Sequence, residues 1–465
     1  MIAKHWGDRT PRSLIASAFL ICAPLAAANQ PGWQRLDNAK EQFDEQFQEG
    51  DFETCINTAK WMLNELADIP DATPADRGLI LARLAEAQQR AGRLEPATQN
   101  YAAALELVES GTSILDDQLE APTWQYARLL DTVGKIDEAA AQYERALHLH
   151  TVNHGLQDPD LADYLLEVSD FYYRQGDAKQ ARALNAYRVD LLRRHYGIDS
   201  LEILPALYDY AETLEKTGDL LGAQAEYRDI MRRIKNTEGR RSPLMIPVVG
   251  KLANLFLYNE MYDGYDGVKQ ARRYYQVMMD LTERNPGAAT TEQKVAAYSG
   301  MGDYYTLKTN NAEKAAIFYR QAWEHMASDP ETEATNVEQH FSEPVVLNDV
   351  PTVHGTGFKY WRDRAQRRGM KRGVVVLRYD VGPDGRMTNV RIAESSPERF
   401  KDFMVLKQLR RFVYRPALRN GDPIVAKDIE YRFEYAYWEQ EYLDFLERGI
   451  SNIRVARSVT STDQR

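Results

Sequence analysis

Cysteine is nearly absent from this chain of 465 residues, with Cys22 and Cys55 the only two. A disulfide scaffold, a cysteine-based zinc module and an iron–sulfur protein are thereby excluded. Long apolar runs are scarce as well. Charged residues make up 27% of the chain and the mean hydropathy is -0.55, which excludes a polytopic membrane protein. Gly (27) and Pro (19) are present in ordinary amounts, so neither a collagen-like nor a long disordered chain is implied. No H-E-x-x-H, nucleophile elbow, P-loop or paired-carboxylate constellation occurs outside what the repeats below explain. The expectation is a protein that is not an enzyme, with no cofactor, no metal and no small-molecule substrate. At 44% hydrophobic residues the chain is long enough to bury two or three cores.

The N-terminus carries an addressing pattern. Lys4, Arg9 and Arg12 precede an apolar stretch from Leu14 to Ala27, interrupted by Pro24 and closed by Ala26-Ala27-Ala28. A charged start, a short apolar middle and a small-residue end predict a cleavable secretory signal peptide over residues 1–28. The stretch is shorter than the about 20 apolar residues a spanning helix needs. An uncleaved anchor and a lipoprotein built on Cys22 are the alternatives, and bulky Ile21 argues against the second. The expected location is the periplasm.

A repeat region follows. Gly50, Gly92, Gly134, Gly176 and Gly218 share one spacing, and five residues after each comes a small residue: Cys55, Ala97, Ala139, Ala181 and Ala223. Four further on stand Tyr101, Tyr143 and Tyr227, with Ala59 and Asn185 as exceptions. Two looser units continue with Ala271, Tyr275 and Met278, then Ala315, Tyr319 and Ala322. Each unit reads as a pair of antiparallel helices. Glycine supplies the left-handed residue ending the first helix. Asp51, Asp177 and Asp219 can cap the second. The small residue permits close approach, and the tyrosine fills the gap to the next unit. Gly92, Ala97, Tyr101, Gly134, Ala139, Tyr143, Gly218, Ala223 and Tyr227 are therefore assigned to packing. One hairpin cannot bury its apolar face alone, so the units stack as an α solenoid.

The segments "AEAQQRAGRLEPATQNYAAAL" and "ARLLDTVGKIDEAAAQYERAL" carry the G…A…Y…AL pattern that resembles the tetratricopeptide repeat. The spacing here exceeds the usual period of about 34 residues and is similar to the repeats of kinesin light chain. The resemblance covers about residues 33–328 and implies a concave surface for an extended peptide or another protein. Cys55 falls at a packing position, which predicts a buried, inert thiol. His148, His150 and His154 read as a solvated helix end, since residues two apart face different ways and no carboxylate stands at a known ligand spacing.

The last third changes character. Residues 29–354 hold 32 Lys+Arg against 53 Asp+Glu, whereas residues 355–438 hold 19 against 10. An acidic rod carries a basic head. Basic patches favour anionic partners, but in an exported protein no nucleic-acid role is expected. "GVVVLRYDV" alternates, placing Val375, Leu377, Tyr379 and Val381 on one face. "GPDG" at Gly382–Gly385 is a turn, and "RMTNVRIAE" is the return strand with Val390 and Ile392 inward. Phe400, Phe403, Leu406, Leu409 and Val413 recur at helical spacing. "RNGD" at Arg419–Asp422 turns the chain into a last strand carrying Ile429, Tyr431, Phe433 and Tyr435. The expected head is a small α+β domain of order β-β-α-β, one helix covering three strands.

"RYDVGPDGRMTNVRIAESSP", "LRRFVYRPAL" and "NGDPIVAKDIEYRFEY" together resemble the C-terminal domain of the TonB energy-transducer family, from about Tyr360 to Tyr437. Members of that family bind outer-membrane receptors by pairing the last strand with a short receptor segment, the TonB box. The resemblance implies a docking strand over Asp428, Ile429, Glu430, Tyr431, Arg432, Phe433 and Glu434. It also implies a partner-contacting basic stretch at Arg362, Arg364, Gln366 and Arg367. Two departures are Tyr360-Trp361 in place of a Tyr-Pro step, and Phe412 where many members have Trp. No Pro/Lys/Glu-rich spanning segment is present.

The expected organisation is a signal peptide (1–28), a repeat solenoid (29–328), a loop-like linker (329–358), the TonB-like domain (359–438) and a tail (439–465) that can fold back as a helix over the docking edge. The expected function is periplasmic protein–protein interaction associated with TonB-dependent transport. Its partners would be outer-membrane receptors and components of the inner-membrane TonB motor complex. The alternative is an envelope adaptor for assembly or protein transport that uses the same fold without energy transduction.

Overall fold

A computed structural model describes residues 31–259, 264–330, 332–348 and 369–448. The predicted signal peptide lies outside them. The chain forms two compact units, one reaching Ala206 apart from Arg174–Gly176, the other beginning at Leu207.

The first unit contains α1 (Pro31–Glu49), α2 (Phe52–Ala67), α3 (Pro74–Arg90), α4 (Leu94–Gly111), α5 (Glu120–Thr132), α6 (Ile136–His154), α7 (Leu161–Arg174) and α8 (Ala178–Tyr196). These are consecutive antiparallel hairpins. Gly50, Gly92, Gly134, Gly176 and Gly218 all have φ between 76 and 85°. At Gly50, Gly92, Gly134 and Gly218 the chain closes the helix with the same pair of bonds, as where Gly134 N–H donates to the Asp131 carbonyl and Lys135 N–H to the Leu130 carbonyl. That pairing satisfies the last orphan carbonyls of the helix. Asp51, Asp177 and Asp219 then accept from the backbone N–H of Thr54, Gln180 and Gly222, each as an N-cap. Ala97, Ala139 and Ala223 are buried, and Tyr101, Tyr143 and Tyr227 fill the space beside them. Cys55 is buried among Phe43, Ile56 and Met62, and burial pushes its thiol up to about 11.

The second unit continues with α9 (Leu204–Lys216, entered from the first unit), α10 (Leu220–Thr237), α11 (Met245–Tyr258), α12 (Tyr265–Arg284), α13 (Thr291–Lys308) and α14 (Ala312–Ala327). Between α13 and α14 the left-handed position is taken by Asn310, with φ 50°, instead of glycine. Helix α13 is buried along most of its length. A Cβ on Gly300 would stand 2.1 Å from the Tyr275 ring, and one on Gly302 would stand 2.3 Å from the Tyr319 ring. Two repeat tyrosines therefore pack directly against α13 at its glycines, one from each neighbouring helix.

The segment expected to be a loop-like linker contains α15 (Ala334–Phe341), which buries Val337 and Phe341. Then come β1 (Val345–Val346), β2 (Lys371–Val381), β3 (Met387–Ser396), α16 (Asp402–Leu409), β4 (Tyr414–Arg415), β5 (Leu418–Arg419), β6 (Asp422–Pro423) and β7 (Ala426–Tyr437). The main sheet has the order β3-β2-β7, antiparallel throughout. Val375, Leu377, Tyr379 and Val381 form its core with Val405, Leu409, Phe412, Tyr414 and Phe433. Two details differ from the sequence reading. Phe403 is 79% exposed, and the helix buries Val405 beside the expected Leu409. Ile392 pairs with Leu377 yet is 41% exposed, because an eight-residue helix is too short to cover the outer strand.

The head is seated on the last hairpin by its two tight turns. Gly385 (φ 74°) comes so close that a Cβ would meet the Tyr414 carbonyl at 2.0 Å and Thr306 at 3.1 Å. Gly421 (φ 80°) stands over Arg320 and Trp323 of α14. Arg386 donates to Asn310, and Arg320 pairs with Asp422. Beneath them lies a buried ion pair. Asp303 of α13 accepts from Arg415 through Nε (2.9 Å) and Nη2, from the Tyr319 hydroxyl (2.9 Å) and from the Tyr258 hydroxyl (2.6 Å). Burial would lower the Arg415 pKa, but the Asp303 charge outweighs it and holds the guanidinium protonated. Burial and the same carboxylate push both tyrosines well above their ordinary range.

Four outcomes follow for stability. Asp303→Ala leaves Arg415 and two hydroxyls without their acceptor in a buried site, and should destabilise the second unit by about 3–5 kcal/mol in urea unfolding. Asp303→Asn combined with Arg415→Met, which removes both charges, should cost less than Asp303→Ala; an equal or larger loss would show that the pair is not what holds the head. Ala139→Trp should lower the melting temperature of the first unit through overpacking of at least about 1–3 kcal/mol. Gly134→Ala, with nothing within 4 Å of its Cβ, should cost only the left-handed backbone, about 1–2 kcal/mol.

Candidate functional site

The open edge of the main sheet is the candidate site, and its chemistry is built around one carboxylate. β7 is twelve residues long and, among the described residues, pairs only with β2. Its register with β2 runs from Lys371↔Tyr437 to Tyr379↔Ile429 and then shifts, bringing Val381 opposite Ala426. The extra residue is accommodated at Asp428, whose φ is 57°. A second irregularity lies in β3, where Asn389 has φ 52°. Asp380 of the central strand serves both: Oδ1 accepts the Asp428 N–H (2.9 Å) and Oδ2 accepts the Asn389 side chain (2.7 Å). These bonds, the Asn389 one foremost, hold its carboxyl below the usual range. Bulges of this kind bend and twist a strand. Here one side chain fixes them on both flanks of β2.

The seven residues of the expected docking strand divide by face. Phe433 is buried, and Ile429 and Tyr431 pack beside it on the core under α16. Asp428, Glu430, Arg432 and Glu434 lie on the opposite face, where Arg372 and Arg378 of β2 and Arg391 and Glu394 of β3 meet them. Arg378 bridges Asp428 (2.6 Å) and Glu430 (3.0 Å), Arg391 also reaches Asp428, and Arg372 pairs with Glu434. Arg432 completes the row with Glu434 (3.2 Å) and Glu394 (3.7 Å). The uncovered face of the sheet is thus a lattice of ion pairs tied to one another. Exposed pairs of this sort contribute little stability each, but they keep the charges occupied and leave the strand's backbone as the available binding element.

Residues 439–448 are helical. They turn back onto the covered face: Phe400 stacks edge-on with Tyr437, Tyr442 and Phe445, each at 5.4 Å between ring centroids. The tail thus packs at the C-terminal end of β7, against rings that share the face of the core. The basic stretch Arg362, Arg364, Gln366 and Arg367 lies outside the described residues.

Sequence reasoning did not single out Asp380, Arg378 or Arg391, nor the Asp303–Arg415 pair. The first three are ordinary strand residues whose partners are set by register. Asp303 did leave a trace in "SGMGD", a charge following two glycines within a helix. The histidines correct an expectation. His148 is exposed, but His150 is 3% exposed and hydrogen-bonded to buried Glu120, so the end of α6 is not simply solvated. Glu120 is distant in sequence and reaches His150 only through hairpin packing.

The model of the family "Gram-negative bacterial TonB protein C-terminal" matches residues 358–436. No curated protein matches the chain. Among solved structures, the nearly identical TPR-like repeats of a putative kinesin light chain from Podosopora anserina share 16% identity, with 45% of this chain and 98% of that one covered and a TM-score of 0.40. The C-terminal part of a TPR repeat-containing protein from Cytophaga hutchinsonii shares 13%, over 63% of this chain and 96% of that one, with a TM-score of 0.43. A tetratricopeptide repeat protein from Parabacteroides merdae shares 15%, over 66% and 97%, with a TM-score of 0.32. No described helix is long and apolar enough to cross a membrane. The β3-β2-β7 sheet with α16 on one face, together with the family match over the same residues, makes this a chain of helical hairpins that ends in a domain of the TonB C-terminal family.

Proposed function

We propose that this is a periplasmic protein–protein interaction protein associated with TonB-dependent outer-membrane transport. Helical hairpins and TonB C-terminal domains are both interaction modules. In this reading the repeats scaffold protein partners, and the head docks by strand addition along Asp428–Glu434. The observation that carries it is the state of β7: a long strand with one strand neighbour among the described residues, its inward side chains held in the core and its outward charges engaged with β2 and β3. Such an edge offers main-chain donors and acceptors to an extended segment. The export pattern over residues 1–28 and the basic stretch Arg362, Arg364, Gln366 and Arg367 belong to the same reading, with receptors and motor-complex components as the partner classes.

One observation favours the alternative of an envelope adaptor. The head is fastened to α13 and α14 by Asp303–Arg415, Arg320–Asp422 and the two glycine turns. A head fixed in this way acts together with whatever the repeats hold, and does not move on a long flexible tether.

Hydrogen exchange on the full chain tests strand addition. A TonB-box peptide should slow exchange within residues 426–437, and Glu430→Ala should change its affinity by no more than about threefold, since main-chain bonds carry the contact. Unchanged exchange in that segment would remove the transport reading. Recovery of assembly or protein-transport components from an envelope fraction, without receptors or motor proteins, would then support the adaptor.

A further inference from the structure

Three potential metal ligands converge inside the first unit, far in sequence from the sheet edge. Glu120, at the start of α5, is buried; His150 and His154 stand one turn apart near the end of α6. Glu120 Oε1 lies 2.7 Å from His150 Nδ1, and Oε2 lies 3.1 Å from His154 Nε2. One ligand atom from each residue falls within 4.8 Å of the other two. Metal bonds of about 2.0–2.1 Å in a tetrahedral site set ligand atoms about 3.3 Å apart, so the three already stand at the scale of a coordination sphere.

The groups behind them are arranged as supports. The Tyr164 hydroxyl donates to Glu120 Oε1 at 3.0 Å. The far nitrogen of His150, Nε2, is buried without a hydrogen-bond partner and faces Asp158 Oδ2 at 3.4 Å. A carboxylate behind the second nitrogen of a ligating histidine fixes its tautomer and orientation. As a purely protein network the same geometry is awkward. A neutral imidazole has one N–H, yet His150 faces a carboxylate from each nitrogen. A cation on Nδ1 resolves this, because Nε2 then keeps its proton and points it at Asp158.

We propose that Glu120, His150 and His154 bind a divalent transition-metal ion, zinc by preference, with Asp158 and Tyr164 orienting the ligands. Two imidazoles and a carboxylate suit zinc and its neighbours in the first transition row and do not suit calcium or magnesium. The site joins the start of α5, the end of α6 and the loop carrying Asp158, so the ion staples one hairpin to the connection leading into α7. His154, half exposed, leaves the solvent side open for water as a fourth ligand.

The experiment is a titration of the full chain, purified without a histidine tag and stripped with chelator, using Zn²⁺ by calorimetry and Co²⁺ by visible absorption. The expected result is one ion per chain, tetrahedral cobalt absorption and a melting temperature that rises with added zinc. Asp158→Asn should weaken binding by about 10–100-fold, the usual effect of losing an outer partner, and His154→Ala by more. Because His154 is half exposed at a helix end, its variant should keep the wild-type circular dichroism spectrum. Absence of saturable binding to the wild type, or equal binding by wild type and His154→Ala, would overturn the site.

Discussion

A single buried carboxylate decides how the second unit is put together. Asp303 takes four hydrogen bonds, two from Arg415 of the head and one each from tyrosines on α11 and α14. Placing a charge inside a helix that is buried along most of its length is expensive unless every lone pair is used. Here the donors come from three different elements, so the charge is tolerated only when α11, α13, α14 and β4 are all in place. The neighbouring glycines serve the same end. Gly300 and Gly302 let the Tyr275 and Tyr319 rings lie against α13, which brings the Tyr319 hydroxyl to Asp303. A repeat tyrosine, elsewhere a filler, becomes a ligand of the joint.

The head follows from that joint. Its two turns contact the last hairpin through positions where a side chain has no room or a strained backbone, and among the described residues no strand pairs with the outer edge of β7. The strand is shaped from within by Asp380 and screened on its open face by paired charges. An edge with long apolar side chains facing out would invite association with any other strand. Ion pairs and a bulge leave this edge bent, twisted and lined by charge.

Much of this was legible in the primary structure. The glycine, small-residue and tyrosine spacing identifies the hairpins because capping and close packing obey the helical period, which is local. The turns at Gly382–Gly385 and Arg419–Asp422 and the alternation in "GVVVLRYDV" were readable for the same reason. The short helix was read less well: Phe400, Phe403 and Val413 fit one apolar face on paper, but α16 ends at Leu409 and its buried side is Val405 and Leu409.

The sequence by itself determined the elements, the solenoid class and the family of the C-terminal domain, since each depends on periodicities of a few residues. Only the tertiary structure decided which turns touch α13 and α14, that Asp303 meets Arg415 across 112 residues, and that Glu120 meets His150 across 30. Charged partners chosen from different hairpins have no fixed spacing, because their meeting depends on the angle at which each unit packs on the next. That angle is set by many side chains together and written in no short motif.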